Sequence, residues 1–326
     1  MKYIDMHCDT LMKIPDSTGR QTLFSNSIAS VDFERMKKAE TMAQFFAIFL
    51  LQKEMFAESN REYVDDDIYI NNCIKALKSE VEENKDIIAM ANNYEDIERN
   101  DSEGKMSAVI TIEDGRSVDG SFKKLKNYYE MGIRLITLTW NFENCFGYPN
   151  SEDQAIMNAG LKDFGKEAVE YMNELGMIVD VSHLSDGGFY DVAKISKKPF
   201  VASHSNARVL SPHRRNLTDD MIKILAQKGG VTGINFSPTF LNVDPKIRDS
   251  RIELMVKHMN YIRNKGGDDI LALGTDFDGI TGNLEIDSVD KVPMLFEALE
   301  RDGWSDDLIE KFAYKNTLRV IKDTMK

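Results

Sequence analysis

Cysteine is scarce in this chain. Its 326 residues hold three, Cys8, Cys73 and Cys145, far apart and never as Cys-x-x-Cys. That excludes a disulfide framework and a zinc ribbon, so the three read as free thiols. Cys8 falls between His7 and Asp9, so on a strand it faces away from both and reads as a small buried hydrophobe. Basic charge is also short. Lys and Arg number 41 against 54 Asp and Glu, a net charge of -13. The sequence offers no basic patch of the kind that grips nucleic acid. An acidic surplus favours solubility, and it still admits an anionic substrate where an arginine lines the pocket.

Long apolar runs are missing too. The longest, roughly Met42 to Leu51, is too short to span a bilayer. Residues 1–12 lack the basic segment and long apolar run of a signal peptide. The ending Val320 to Lys326 lacks the hydrophobic tail of a lipid-anchor signal. The expectation is a cytoplasmic protein without a membrane anchor. No fixed-period repeat, low-complexity segment or linker-like shift interrupts the chain. One domain over residues 1–326 is therefore expected.

What is present is a series of apolar, strand-length runs. The first ends in His7-Cys8-Asp9. The others are Ala43–Leu51, Met106–Glu113, Ile133–Thr139, Met177–His183, Pro199–His204, Gly229–Phe236 and Ile270–Asp276. Runs this continuously apolar suit strands buried on both faces. Helical patterns mostly alternate with them, at Val31–Glu40, Glu58–Asn84, Phe122–Met131, Leu161–Leu175, Ser185–Ser196, Leu217–Lys228 and Ile247–Lys265. Two more helices are expected between Val292 and Lys326. Eight strands alternating with helices predict an α/β fold, a TIM-type (β/α) barrel with eight parallel strands and extra C-terminal helices. The polar stretches Met12–Ser30, Asn141–Gly160 and Pro238–Asp249 read as loops that shape specificity.

His7 and Asp9 lie two apart, so a strand end presents both on one side. Imidazole and carboxylate are both good ligands for a divalent metal. Glu113, His183, His204 and Asp276 also fall at the ends of predicted strands. In a barrel these ends meet at one face, where active sites sit. Of five histidines, three occupy strand ends, which scattered core histidines would not do. Three histidines and three carboxylates exceed the needs of one zinc. A bridging carboxylate, Glu113, lets the set hold two metals, which activate a bridging hydroxide and polarise a carbonyl. Asp276 is left to shuttle the proton as general base and acid. His213 reads as an exposed loop residue and His258 as structural within a helix.

With these residues in place, the chain resembles the membrane (renal) dipeptidase family of binuclear zinc peptidases, in particular its soluble bacterial members. The matching stretches are Asp5-Met-His7-Cys-Asp9, Ile112-Glu113-Asp-Gly, Leu138-Thr-Trp140-Asn141, Phe164-Gly165, Leu175-Gly-Met-Ile-Val-Asp-Val-Ser-His183, Ser203-His204-Ser-Asn-Ala, Arg214-Arg215-Asn216, Gly274-Thr-Asp276-Phe-Asp278-Gly279 and Asn316-Thr-Leu-Arg-Val. They run in family order over essentially the whole chain. The resemblance implies two zinc ions, His7 and Asp9 on the first, His183 and His204 on the second, and Glu113 bridging. It implies Asp276 as the catalytic acid and base that also meets the substrate amine, and Arg215 as the holder of the substrate carboxylate. Trp140, Asn141 and Asn316 join Arg215 among the implied substrate-contacting residues. It further implies free dipeptides as substrates, tolerance of a D-residue at the C-terminal position, and a homodimer. One position departs: many members carry a carbonyl-polarising His where this chain has Trp140. An indole N–H donates one hydrogen bond but carries no positive charge. A related metallohydrolase of another small amide, ester or lactone is the alternative expectation, and a non-catalytic metal-binding homologue a further one.

Overall fold

The computed structural model describes residues 1–14, 22–58 and 62–326. Eight parallel strands close into a barrel. In chain order they are Tyr3–Cys8, Thr41–Phe49, Met106–Glu113, Ile133–Thr137, Ile178–Asp180, Val201–Ala202, Val231–Ile234 and Leu271–Leu273, here called strands one to eight. Each pairs with its neighbours in that order, except that strand one lies between two and eight, and this closes the ring. A short extra strand, Ile88–Met90, pairs with the start of strand three outside the ring. The expected TIM-type barrel is thus the observed one.

Alternation along the strands builds the interior. Ile4, Phe45, Val109, Leu135, Ile178, Val201, Val231 and Ala272, one from each strand, form a single buried cluster. Leu318, Ile321 and Met325 join it from the C-terminal helix Asn316–Thr324 and its exit. The barrel is therefore plugged at its lower end by apolar side chains. The other face of each strand meets the helices in a larger apolar cluster. At strands seven and eight, a Cβ on Gly233 or Gly274 would collide with the Ser203 carbonyl oxygen. Glycine at both positions lets strands six, seven and eight draw together just below the site.

Strand one contains the irregularity that matters most. Asp5 pairs with Gln44 but Cys8 with Phe46, so three steps on strand one oppose two on strand two. This is a one-residue bulge. Strict alternation would put His7 on the face of Asp5, whose carboxylate is held by Thr275 and Gln44. The bulge restores His7 to the barrel side, while Cys8 packs outward in the outer cluster.

The helices follow the expected pattern with shifted starts. The stretch expected from Glu58 begins as a helix at Asp66, where the Asp65 carboxylate caps the Asp67 amide. The one expected from Ile247 begins at Ile252, because Asp249–Ser250 pairs instead with Asn283–Leu284. Thr218 caps the helix Asp219–Gln227 as expected. Residues 15–21 of the loop Met12–Ser30, and residues 59–61, lie outside the described residues. Among the described residues no helix is long and apolar enough to cross a membrane. Cys8 and Cys145 are free thiols.

Candidate metal centre and active site

The strand ends converge as expected. His7, Asp9, Glu113, His183, His204 and Asp276 meet at the upper face of the barrel. His7 Nε2 lies 3.5 Å from Asp9 Oδ2, 3.4 Å from Glu113 Oε2 and 3.9 Å from Asp276 Oδ1. On the other side of Glu113, Oε1 is 2.9 Å from His183 Nε2 and 3.6 Å from His204 Nε2. Two ligand groups result, His7–Asp9–Glu113 and Glu113–His183–His204, with the potential ligand atoms within 4.8 Å of one another. Glu113 belongs to both. The arrangement is that of a binuclear metal site.

Four of these groups, Asp9, His183, His204 and Asp276, sit past the last paired residue of their strand. His183 follows strand five by three residues and adopts φ 68°. Asp276 follows strand eight by three residues at φ 62°. Left-handed backbone is uncommon outside glycine and costs of order 1–3 kcal/mol, so the surroundings must hold it. For His183 the holder is Asn150, whose backbone and side-chain N–H groups both donate to the His183 carbonyl, at 2.7 and 3.0 Å. For Asp276 it is the bulged strand one: its amide donates to the His7 carbonyl at 3.2 Å. Gly279 then closes the turn, donating to the Asp276 carbonyl at 3.1 Å. A Cβ on Gly279 would run into the Asp9 carboxylate and Asp276 Oδ1.

The histidines are oriented by a second set of partners. Thr137 Oγ1 and Ser203 Oγ both donate to Asp180 Oδ2 at 2.6 Å. Ser203 Oγ therefore accepts from His204 Nδ1, 2.7 Å away. His183 Nδ1 faces Asn141 Oδ1 at 3.3 Å. Nδ1 of each ring thus has an acceptor, which leaves Nε2 of each to face Glu113. Those two Nε2 atoms are 3.1 Å apart. Such back-bonded imidazoles are the usual form of metal-ligating histidine.

The donor set fits divalent metal on its own chemistry. Both ring nitrogens of His7 and Asp9 Oδ1 are buried without a hydrogen-bond partner. Buried polar atoms are rarely left so. Without cations the carboxyls and imidazoles compensate one another. Burial works against charge on His7, but Asp9 and Glu113 outweigh it and hold its pKa well above the usual value. Burial and the nearby Glu113 push Asp9 well up. Burial opposes charge on Glu113 too, yet His7 and His183 hold it well below the carboxylate range. Burial and Arg215 draw His183 down to about 4, and burial and His7 draw His204 well down. Asp276 is pushed up to about 6 by burial, with Glu113 adding and His7 opposing.

A cavity of about 410 Å³ opens above these groups. Arg215 lies in its wall, 6% exposed, with its terminal nitrogens on Ser205 Oγ and the His204 carbonyl at 3.0 and 3.3 Å. Its Nε has no partner, and among the described residues no carboxylate lies within 4.0 Å of it. Arg208 is committed to Asp186 through two bonds of 2.6 and 2.7 Å. Arg214 lines the cavity but pairs with Glu152 at 2.9 Å. Trp140 and Asn141 line the cavity.

Asn316 does not join them. Its amide donates to the carbonyls of Asp268 and Leu271, at the start of strand eight, the end away from Asp276. There it ties the C-terminal helix to the barrel, and no substrate-contacting role remains for it. His213 is not an exposed loop residue either. It is half-buried in the cavity wall, accepts the Arg215 amide at 3.1 Å and packs on Phe240. His258 is structural as expected: Ala207 donates to its Nδ1, and its Nε2 donates to the Leu241 carbonyl, both at 3.1 Å. Sequence reasoning missed Asp180, Ser203, Asn235 and Gly279. Asn235 donates to Asp276 Oδ2 at 2.8 Å. Asp180, Ser203 and Gly279 stand inside the matching stretches, where no role marks them, and Asn235 carries no signal.

Comparison with known proteins agrees. A family model described as membrane dipeptidase (peptidase family M19) matches residues 1–326. An uncharacterised dipeptidase of Schizosaccharomyces pombe is 31% identical over 315 residues, 92% of this chain and 74% of that protein. A dipeptidase of Claviceps purpurea is 32% identical over 251 residues, 77% of this chain and 58% of that protein. Among solved structures, a dipeptidase of metallopeptidase family M19 matches with a TM-score of 0.90 at 24% identity, covering 100% of this chain and 99% of that one. A metallopeptidase of Rhodobacter sphaeroides, liganded with a phosphinate mimic of the dipeptide L-Ala-D-Ala, matches with a TM-score of 0.90 at 23% identity, covering 99% of each chain. At these identities the two structures establish the shared fold.

Proposed function

The chain belongs to the membrane dipeptidase family, peptidase family M19, a family of peptide hydrolases, and from that premise we propose that it is a zinc-dependent dipeptidase acting on free dipeptides. His7 and Asp9 would hold one ion, His183 and His204 the other, and Glu113 both. Bound there, the pair supplies Lewis acidity to the scissile carbonyl and to the attacking water.

Arg215 carries the reading. A guanidinium this buried, beside the metal-ligand cluster and without a carboxylate partner, calls for an anion from outside. Burial draws its pKa down to about 10, so it stays charged at neutral pH. Its planar fork suits the free carboxylate of a dipeptide. At the other end of the substrate, Asp276 receives the free amine. Asn235 holds Asp276 Oδ2, which leaves Oδ1 to take a proton from the attacking water and return it to the departing nitrogen. With both substrate ends matched to charged groups, a longer peptide leaves one of them unmatched. The L-Ala-D-Ala mimic in the Rhodobacter sphaeroides relative supports tolerance of a D-residue at the C-terminal position. Trp140 supplies no cation to the carbonyl, so its polarisation would fall to the weaker indole N–H, to Asn141 or to bound metal.

Steady-state hydrolysis of matched L,L-, L,D- and D,L-dipeptides by zinc-loaded protein tests this, with an N-acetylated control. The expected result is turnover of free L,L- or L,D-dipeptides, lost on acetylation. Absence of turnover on every free dipeptide, with two metals bound per chain, would move the assignment to another small amide, ester or lactone.

A further inference from the structure

The cavity has two unlike walls. Arg214 and Arg215, on the loop after strand six, make a cationic wall with His213. Strand two lies diametrically across the barrel from strand six. There, between the ends of strands two and four, the wall is Phe49, Met55 and Trp140. Phe49 and Trp140 meet edge to face with centroids 4.9 Å apart, and Phe142 flanks Trp140 at 6.0 Å. The Trp140 ring stands 6.3 Å from that of His183, at the edge of the ligand cluster. Asn141, the polar neighbour on that side, is engaged with His183.

We infer that this apolar wall is the subsite for the side chain of the substrate's N-terminal residue, and that Trp140 selects a large apolar or aromatic side chain there. The inference rests on the dipeptidase reading. With its carboxylate on Arg215 and its peptide bond over Glu113 and Asp276, a dipeptide extends its N-terminal residue toward Phe49 and Trp140. A charged side chain placed there loses water and finds no partner. Glycine leaves the wall wet, whereas Leu or Phe covers it. The indole contributes a broad face already held by Phe49 and Phe142, so little freedom is lost on binding. The departure at Trp140 thus exchanges a polar group for a specificity surface.

Two matched series test it, Xaa-Ala and Ala-Xaa with Xaa as Gly, Ala, Leu, Phe and Glu, on zinc-loaded protein. The expected result is a preference of about tenfold or more in kcat/KM for Phe-Ala over Gly-Ala, carried mainly by KM. Trp140→Ala should erase that ratio, and Trp140→Phe should keep most of it. A preference confined to the Ala-Xaa series, or a Trp140→Ala protein that keeps the ratio, overturns the inference. A metal-independent readout comes from Trp304→Phe, which leaves Trp140 as the sole remaining tryptophan of two. Titrated into this metal-free variant, Phe-Ala should shift Trp140 emission at roughly tenfold lower concentration than Gly-Ala. Equal responses, or none, overturn the assignment of the wall. If no dipeptide is turned over at all, the dipeptidase reading fails, and the emission titration still decides what the wall binds.

Discussion

The two ends of the barrel bury polar groups in opposite ways. At the lower end, the Asn316 amide satisfies two backbone carbonyls, and Arg319 reaches the carbonyls of Gly229 and Asp269. Apolar side chains of the same helix fill the barrel above them. At the upper end, both ring nitrogens of His7, Asp9 Oδ1 and Arg215 Nε make no hydrogen bond. Each orphaned buried group costs ~1–3 kcal/mol. The lower end is complete as folded. The upper end is incomplete as folded, and on the proposed reading cations and a carboxylate complete it and return stability by mass action. The difference separates a residue that holds the fold from one that awaits a ligand, though both are buried and polar.

Glu113→Gln presses that contrast hardest. The carboxylate stands between His7, His183 and His204 at 3.4, 2.9 and 3.6 Å. The amide keeps its shape but cannot bridge two cations. Turnover should fall by at least ~1000-fold, roughly 4 kcal/mol, and metal content should drop from two ions per chain to one or none. Melting of the metal-free protein should fall, because His7 and His183 lose the carboxylate that compensates them. Two ions still bound by elemental analysis, with turnover intact, would remove Glu113 from the site.

His258 offers an internal control, a buried histidine of the satisfied kind. One nitrogen accepts from Ala207 and the other donates to Leu241, which pins the loops after strands six and seven and fits only the neutral ring. Burial lowers its pKa from 6.5 to about 4, against the opposing Leu241 carbonyl. The unfolded chain takes up the proton below pH 6.5 and the folded chain does not. Its contribution is therefore fully present above that pH and is lost as the pH falls from 6.5 toward 4, by about 3 kcal/mol. Urea unfolding of metal-free protein at pH 7, 5 and 4 should show a steeper loss for the natural chain than for His258→Gln. Parallel curves would mean that His258 is not what acid attacks.

Asn316→Leu tests the lower end. It strands the carbonyls of Asp268 and Leu271, at a cost of about 2 kcal/mol in unfolding free energy. The kcat/KM of the folded protein should hold within about twofold. A tenfold loss of kcat/KM at unchanged stability would return Asn316 to the substrate.

These residues also mark how far the sequence could be read. Eight apolar runs of strand length, five of them closing on a histidine or a carboxylate, are enough to draw His7, Asp9, Glu113, His183, His204 and Asp276 to one face, since parallel barrel strands end together. The residues that aim them are another matter. The bulge between Asp5 and Cys8 exists only against strand two, so no local pattern in strand one announces it. The left-handed backbone of His183 depends on Asn150, thirty-three residues away. Asn316 was placed wrongly because a motif reports membership of a family and not the end of the barrel at which a residue sits. His213 looked exposed beside two arginines, yet Phe240 covers it from the loop after strand seven.

The smallest expected effect falls on the connection between the two kinds of group. Ser203 is fully satisfied, giving its proton to Asp180 and accepting that of His204 Nδ1. Through it a complete network points an incomplete one, since His204 presents Nε2 only while Nδ1 keeps its proton. Ser203→Ala removes the acceptor without touching any ligand atom. The ring is then free to turn or change tautomer, and zinc affinity measured by chelator competition should weaken about tenfold, which is about 1.4 kcal/mol. Ser203→Thr keeps the hydroxyl and should recover most of it. Affinity unchanged in Ser203→Ala would mean that the barrel walls alone orient His204, and that the Asp180 network belongs with Asn316, to the fold and not to the site.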